Sequence, residues 1–172
     1  ARNACFDIAK SLGVASFLVL DDDYTEFRYT FNSKFEFVRI RIRDLDSVFN
    51  HFVEMMDCDT RLNAICMMQT GDLIGGAESV GKWLSNPPFP FKRRKAMNSF
   101  FCKTNRRFWF FSRLNEDVNT YLKLGSVGGL FLTIPDTYLQ QKATQKTAGG
   151  MSEAYLASGT YVKTFYSVMN FP

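Results

Sequence analysis

The sequence has one histidine, His51, and its four cysteines (Cys5, Cys58, Cys66 and Cys102) form no C-x-x-C pair. Zinc sites take their ligands from closely spaced cysteine and histidine residues, so a Cys/His zinc site is not expected. We predict that each cysteine is a small buried hydrophobic residue in a reducing cytoplasm. We also predict that His51 has a structural role in a helix.

Long hydrophobic runs are also missing. No apolar stretch approaches the roughly 20 residues of a membrane-spanning helix, and no signal peptide is visible in the sequence. Repeats and low-complexity segments are absent, and 46% of the residues are hydrophobic. These features exclude a disordered chain and predict one globular domain over residues 1–172, located in the cytoplasm. Because the chain begins at Ala1 rather than Met, we expect a piece of a longer protein.

The spacing of the apolar residues predicts an α/β fold. Residues 3–12 have helical spacing and end at Gly13, and the apolar run 15–20 is typical of a buried strand. A helix that leads into such a strand suggests a parallel sheet with helices on both faces. The alternation over 27–32 and 35–43 predicts a hairpin with a bulge near Val38.

The remaining elements follow from the same patterns. A helix is predicted over 44–58, with Asp44 or Asp46 as its N-cap, and another over 117–124. Further strands are predicted over 63–69, 99–104, 107–111, 130–135 and 160–169.

Three adjacent carboxylates, Asp21, Asp22 and Asp23, follow the first predicted strand directly. Like charges at the end of a buried strand repel one another, and a bound divalent cation would remove that penalty. Residues two apart face the same side, so Asp21 and Asp23 can converge on one ligand. The alternative is a solvated acidic turn.

The order Ala-Arg-Asn, helix, glycine, apolar strand and Asp-Asp-Asp resembles nucleotide-sugar glycosyltransferases of the GT-A fold, which carry a DxD motif after such a strand. The resemblance implies that Arg2 contacts the sugar or diphosphate of the donor. Asp21, with Asp22 beside it, would contact the ribose or sugar. Asp23, together with Asp21, would ligate the Mn²⁺ or Mg²⁺ that bridges the diphosphate.

A second acidic pair, Glu116 and Asp117, stands at a predicted helix start in RLNEDV. Inverting enzymes of this fold carry an acidic pair in that context, and one carboxylate is the general base that activates the acceptor hydroxyl. Asp117 is the first candidate and Glu116 the second. The alternative is that both acids stabilise the N-terminus of the helix.

The wider pattern, SRLNEDVNTYLKLG, TQKTAGGMSEAY and GTYVKTFYSVMNFP, resembles the TET-associated glycosyltransferases over nearly the whole chain. The resemblance implies transfer from a UDP-sugar to 5-hydroxymethylpyrimidines in DNA, in the host cytoplasm if the protein is phage-encoded. One feature departs from the pattern. The GT-A strands that hold the nucleotide base precede the Ala-Arg-Asn helix and are missing here, so we expect a GT-A-like mixed sheet that is flanked by helices and lacks its N-terminal nucleotide-binding strands.

A basic run, Lys92 to Lys95, lies among aromatic residues, near Lys103, Arg106 and Arg107. Basic side chains neutralise phosphates and aromatic rings stack on bases, so this segment is a candidate DNA contact surface, or else a solvated loop. Candidate donor or acceptor loops are Thr70–Asp72, Gly75–Gly76 and Gly149–Gly150, the last with Gln145 and Thr147 nearby.

Two other functions stay open at this point. One is metal-dependent phosphoryl transfer, by a nuclease or nucleotidyltransferase that uses the same aspartates. The other is a non-catalytic DNA-binding module.

Overall fold

The structure is a computed structural model that describes residues 1–34, 36–69, 95–97, 99–141, 157–159 and 161–170. These residues form an α/β fold, a six-stranded mixed sheet with helices, as predicted. The helices are α1 (Arg2–Ser11), α2 (Leu45–Cys58), α3 (Glu116–Gly125) and α4 (Val162–Asn170). The strands are β1 (Ser16–Leu20), β2 (Tyr24–Phe31), β3 (Phe37–Arg41), β4 (Leu62–Gln69), β5 (Ser99–Lys103) and β6 (Leu130–Gln141).

The strand order is β1-β5-β4-β6-β2-β3. Only β4 and β6 are paired in parallel, and the other neighbours are antiparallel. The expectation of a parallel sheet is therefore wrong for β1, which lies at one end of this order beside antiparallel β5. A GT-A arrangement, and a single domain over the whole chain, stay predictions.

Successive side chains of the central strands point to opposite faces of the sheet, so the apolar residues form two hydrophobic clusters, one on each face. On one face, Phe100 and Cys102 of β5 pack with Phe6 of α1. On the other, Phe101 of β5 packs with Phe52 of α2, and their ring centroids are 5.6 Å apart. The prediction of helices on both faces is confirmed.

Most local predictions hold. The β2–β3 hairpin forms, and its register shifts between Tyr29 and Phe31 so that β3 has one extra residue near Val38. Asp44 rather than Asp46 is the N-cap of α2, and its Oδ1 accepts a hydrogen bond of 3.0 Å from the Ser47 N–H. Gly13 has a φ of +67°, a conformation that glycine adopts at little cost after a helix.

β6 is longer than the predicted strand over 130–135, and it bends. Its register with β4 shifts between the pairs Met67–Ile134 and Met68–Tyr138, so residues 135–137 bulge. Pro135 lies in this bulge, where the pairing of the strands does not need the N–H that proline lacks. Beyond it, β6 also pairs with β2, and Gln141 lies opposite Tyr24.

Two predicted strands are wrong. Residues 107–111 belong to no strand. The side chains of Asn3 and Thr120 make the hydrogen bonds to the backbone of Phe110 and Phe111 that a neighbouring strand would otherwise make. Residues 162–170 form helix α4, not a strand. The aromatic residues that suggested a strand also have helical spacing, and Tyr161 packs edge-on against Phe165.

The cysteines differ from the prediction in part. All four are free, and Cys66 and Cys102 are buried, which raises the pKa of both thiols. Cys5 is only partly buried, and Cys58, in the last turn of α2, is exposed. His51 is also exposed, and its Nδ1 lies 2.7 Å from the Ser47 carbonyl oxygen of the same helix.

Candidate functional site

The three aspartates lie at the carboxyl ends of the parallel strands. The segment Asp21–Asp23 joins β1 to β2, and three strands (β5, β4 and β6) stand between these two in the sheet. β1, β4 and β6 run in the same direction, so the segment crosses the edge at which β4 and β6 end. In open α/β sheets this edge is where ligands bind.

Arg2, in the first turn of α1, connects the two acidic motifs. One of its guanidinium nitrogens, Nη2, donates to Oδ1 of Asp21 over 2.7 Å, and Nε lies 3.5 Å from Oε1 of Glu116. Its side chain is 13% exposed, and Asp21 and Glu116 are about a third exposed. Acidic residues that are far apart in the sequence therefore share one cation.

Two aromatic rings hold the Arg2 side chain. The guanidinium carbon lies 5.3 Å from the ring centroid of Phe100 and 5.7 Å from that of Phe110. Ring faces attract cations and exclude water, so this packing orients the guanidinium at a low side-chain entropy cost. Its Nη1 is buried and has no hydrogen-bond partner within the described part of the chain.

A cleft of about 560 Å³ opens beside Arg2. It is lined by residues of α1, the end of β1 and the segment before α3, among them Ala1, Arg2, Asp21, Arg113 and Glu116. The guanidinium groups of Arg2 and Arg113 make the cleft suited to an anionic ligand with polar substituents.

Burial raises the pKa of the Asp21 carboxyl, and the neighbouring charges of Asp23 and Glu116 act in the same direction. Arg2 opposes this rise through its charge and its hydrogen bond. The carboxylates are therefore close enough to repel one another, and Arg2 offsets part of that repulsion.

Asp117 is the most buried of the acids, at 9% exposed. Its Oδ1 accepts a hydrogen bond of 2.8 Å from the N–H of Val118, and burial raises its pKa in spite of that bond and the charge of Arg2. The burial of Tyr121, together with the charge of Asp117, raises the pKa of Tyr121 to about 12. Asp117 is thus a carboxyl group with an enhanced affinity for a proton at the start of α3.

Asp23 differs from its neighbours. Its Oδ2 accepts a hydrogen bond from the amide of Gln141 at the end of β6, whereas Oδ1 is buried and has no partner within the described residues. Asp22 is exposed. A buried, unpaired carboxylate oxygen is a costly group that a hard cation would satisfy, so Asp23 fits a Mn²⁺ or Mg²⁺ ligand.

A metal site made of protein ligands alone does not form here. Across the described residues, no group of three or more His, Cys, Asp or Glu side chains could hold a metal ion. In Mg²⁺ sites, one or two carboxylates often bind the ion, and substrate phosphates and water complete its shell. Asp21, the second predicted ligand, is bound to Arg2.

Three of the basic residues predicted to contact DNA are engaged within the protein, whereas Lys95 is exposed. Lys103 pairs with Asp57, and Arg107 pairs with Asp7. Arg106 donates to backbone carbonyls where α2 ends, including that of Asp59 over 3.1 Å. Their charges are therefore less available to a nucleic acid than the sequence suggests.

Several other predicted residues lie outside the described residues. These are Lys92, Arg93 and Arg94 of the basic run, the loops Thr70–Asp72, Gly75–Gly76 and Gly149–Gly150, and Gln145 and Thr147.

Sequence reasoning missed three contributors to the site: Asn3, Gln141 and the ring pair Phe100–Phe110. Asn3 belongs to the Ala-Arg-Asn triplet, so the motif itself carried a signal. Gln141 lies far from Asp23 in the sequence, and only the pairing of β2 with β6 brings them together.

No helix in the described part of the chain is long and apolar enough to cross a membrane. Searches of curated proteins and of solved structures found no match. One protein-family model does match: it is described as TET-Associated Glycosyltransferase, and it covers residues 1–150.

Proposed function

The chain belongs to the TET-associated glycosyltransferase family, and from that membership we propose that it moves a sugar from a nucleotide donor, a UDP-sugar, to a hydroxymethylated pyrimidine in DNA. The observation that carries the proposal is the double contact of Arg2 with Asp21 and Glu116. It joins the candidate donor-binding segment to Glu116, the second candidate base, at one cleft, as a reaction between a donor and an acceptor requires.

Donor binding falls to Arg2. The diphosphate of a nucleotide sugar is an anion, and a guanidinium group on the cleft is suited to it. Asp21, at the rim of the same cleft, would accept hydrogen bonds from ribose or sugar hydroxyls, with Asp22 next to it. Asp23 would hold Mn²⁺ or Mg²⁺, which neutralises the leaving diphosphate when bound.

Acceptor activation falls to the acidic pair. The acceptor hydroxyl is a weak nucleophile until a carboxylate takes its proton, and a raised pKa makes a carboxylate a stronger base. Burial raises the pKa of Asp117, so we assign the proton transfer to Asp117 and keep Glu116 as the alternative. Attack of the oxygen on the anomeric carbon, with departure of the diphosphate from the opposite side, inverts the configuration.

The proposed acceptor is a hydroxymethylated pyrimidine base in DNA. The association with TET in the family's description supports a hydroxymethylated base. A 5-hydroxymethyl group projects into the major groove, so its transfer requires groove access, base flipping or a single-stranded substrate. Neither alternative, phosphoryl transfer or non-catalytic DNA binding, accounts for membership in a glycosyltransferase family.

The full-length protein, incubated with Mn²⁺, a panel of UDP-sugars and DNA with or without 5-hydroxymethylcytosine, tests the proposal. We expect a gain of one sugar mass on the modified nucleoside only, measured by mass spectrometry. Shortened DNA would instead support a nuclease. UDP release with no gain on any DNA would retain sugar transfer and overturn the DNA acceptor.

Asp23→Asn tests the metal ligand. Because Oδ1 of Asp23 is buried and unpaired, we expect the variant to stay folded and to need about tenfold or more Mn²⁺ for half-maximal turnover. Chelation should abolish wild-type turnover. The control is Asp46→Asn, the same change at an exposed position of α2. An unchanged Mn²⁺ requirement in Asp23→Asn would remove Asp23 from the metal site.

A further inference from the structure

Asn3 makes two hydrogen bonds to one residue that is far away in the sequence. Its Nδ2 donates to the Phe110 carbonyl oxygen over 3.1 Å, and its Oδ1 accepts from the Phe110 N–H over 2.8 Å. A side-chain amide bonded in this way replaces a neighbouring strand and fixes both the position and the orientation of the backbone it binds. Asn3 therefore holds the extended segment 107–111 against α1.

That segment leads directly to the acidic pair. After Phe110, the Phe111 N–H donates to the hydroxyl of Thr120 over 3.0 Å. The chain then passes through two residues with positive φ, Ser112 at 77° and Asn115 at 56°. This conformation is common for asparagine but unusual for serine, so contacts at the two ends of the turn before α3 help to hold Ser112 in it.

The neighbouring residue, Arg2, contacts the carboxylate of Glu116 at the far end of the same turn. Adjacent residues of α1 thus bind the two ends of the segment 110–116. Asn3 binds the backbone of Phe110, and Arg2 binds the side chain of Glu116. Loss of the Asn3 contact would release the segment at Phe110 and change the distance between Arg2 and the acids. The Phe110 ring, which packs on Arg2, would move with it.

We propose that Asn3 is a positioning residue that sets the distance of Glu116 and Asp117 from Arg2. The expected loss of turnover rests on the proposed function, whereas the expected release of residues 110–117 does not. Asn3 lines the same cleft as Arg2, but both polar atoms of its amide bind the backbone of Phe110, and it acts through that backbone.

Asn3→Asp is the sharpest test because it keeps Oδ1 and replaces the donor Nδ2 with an oxygen that repels the Phe110 carbonyl. We expect kcat to fall by about tenfold to a hundredfold, the usual effect of an ångström-scale misplacement. The KM for the donor should rise by less than kcat falls, because Arg2 and Asp21 are unchanged although the new carboxylate lies on their cleft. Asn50→Asp, the same change at an exposed position of α2, is the control and should match the wild type.

Amide hydrogen exchange separates this proposal from the proposed function. Asn3→Asp should exchange faster over residues 110–117 by about tenfold or more, whereas Asn50→Asp should not. This readout needs no turnover, so it applies even if the wild type transfers no sugar, which would contradict the proposed function alone. Unchanged exchange over 110–117, or unchanged kcat with faster exchange, would overturn the positioning role.

Asn3→Ala, which removes both bonds without adding a charge, provides a second variant. We expect it to fold and to show the same split between kcat and KM. If neither variant folds, Asn3 is required for the fold as a whole and the positioning role is overturned.

Discussion

Arg2→Met is expected to reduce sugar transfer by at least about a hundredfold, which is the usual cost of removing one group that stabilises developing charge. Methionine keeps most of the apolar contact with Phe100 and Phe110 but leaves Asp21 and Glu116 without their shared cation. Steady-state turnover at saturating donor measures the effect. A variant that retains more than about a tenth of wild-type turnover would contradict the central place given to Arg2.

The same variant should be less stable, in a way that depends on pH. Burial already raises the pKa of Asp21 and Arg2 opposes the rise, so removal of Arg2 raises that pKa further. A group whose pKa is higher in the folded state contributes stability below its unfolded pKa and loses it as the pH rises through the folded pKa. The loss of stability relative to wild type should therefore be larger at neutral pH than near pH ~4.

Thermal unfolding of the wild type and the variant at both pH values measures that difference. We expect a free-energy loss of about 1–3 kcal/mol at neutral pH, because the carboxylates are partly exposed and water replaces some of the lost contact. The control is Arg61→Met, since Arg61 also pairs with an aspartate, Asp59, but is exposed. Solvent screens an exposed pair of that kind, so the stability of Arg61→Met should stay close to that of the wild type and turnover should not change.

Asp117→Asn should reduce kcat by about a hundredfold to ten-thousandfold, the usual contribution of a general base. Asparagine keeps the Oδ1 that accepts the Val118 N–H, so the start of α3 should stay intact. Glu116→Gln, one residue earlier, is the matched variant and should change kcat by less than about tenfold. The reverse order of effects would transfer the role of base to Glu116.

The pH profile of kcat/KM provides an independent check of the base. Because burial raises the pKa of Asp117 above its ordinary value of 3.8, the acidic limb should lie above that value in the wild type. The charge of Glu116 also raises this pKa, so Glu116→Gln should move the limb to lower pH. Asp117→Asn should remove the limb. If the acidic limb lies at the same pH in Glu116→Gln as in the wild type, the coupling of the two acids is contradicted.

Local sequence patterns predicted much of the fold because the responsible forces act over a few residues. The 3.6-residue spacing of α1 and α2, the alternation in β2 and β3, and the extra residue near Val38 all depend on neighbouring side chains. The same patterns were wrong where distant contacts decided the outcome. Residues 107–111 would suit a strand, but α1 and α3 supply their hydrogen-bond partners.

By itself, the sequence determined which chemical groups the site contains. The Ala-Arg-Asn triplet, the three aspartates and the pair Glu116–Asp117 are legible as motifs, because the residue types and the elements that carry them are local properties. The family also follows from the sequence, over residues 1–150.

Only the tertiary structure decided how these groups are divided among partners. The strand order places three strands between β1 and β2, so Asp21 reaches Arg2 while Asp23 reaches Gln141 at the end of β6. No local pattern encodes this division, because it follows from which strands pair across the sheet. The same is true of Arg2 and Glu116, whose contact depends on the packing of α1 and α3 on one face of the sheet.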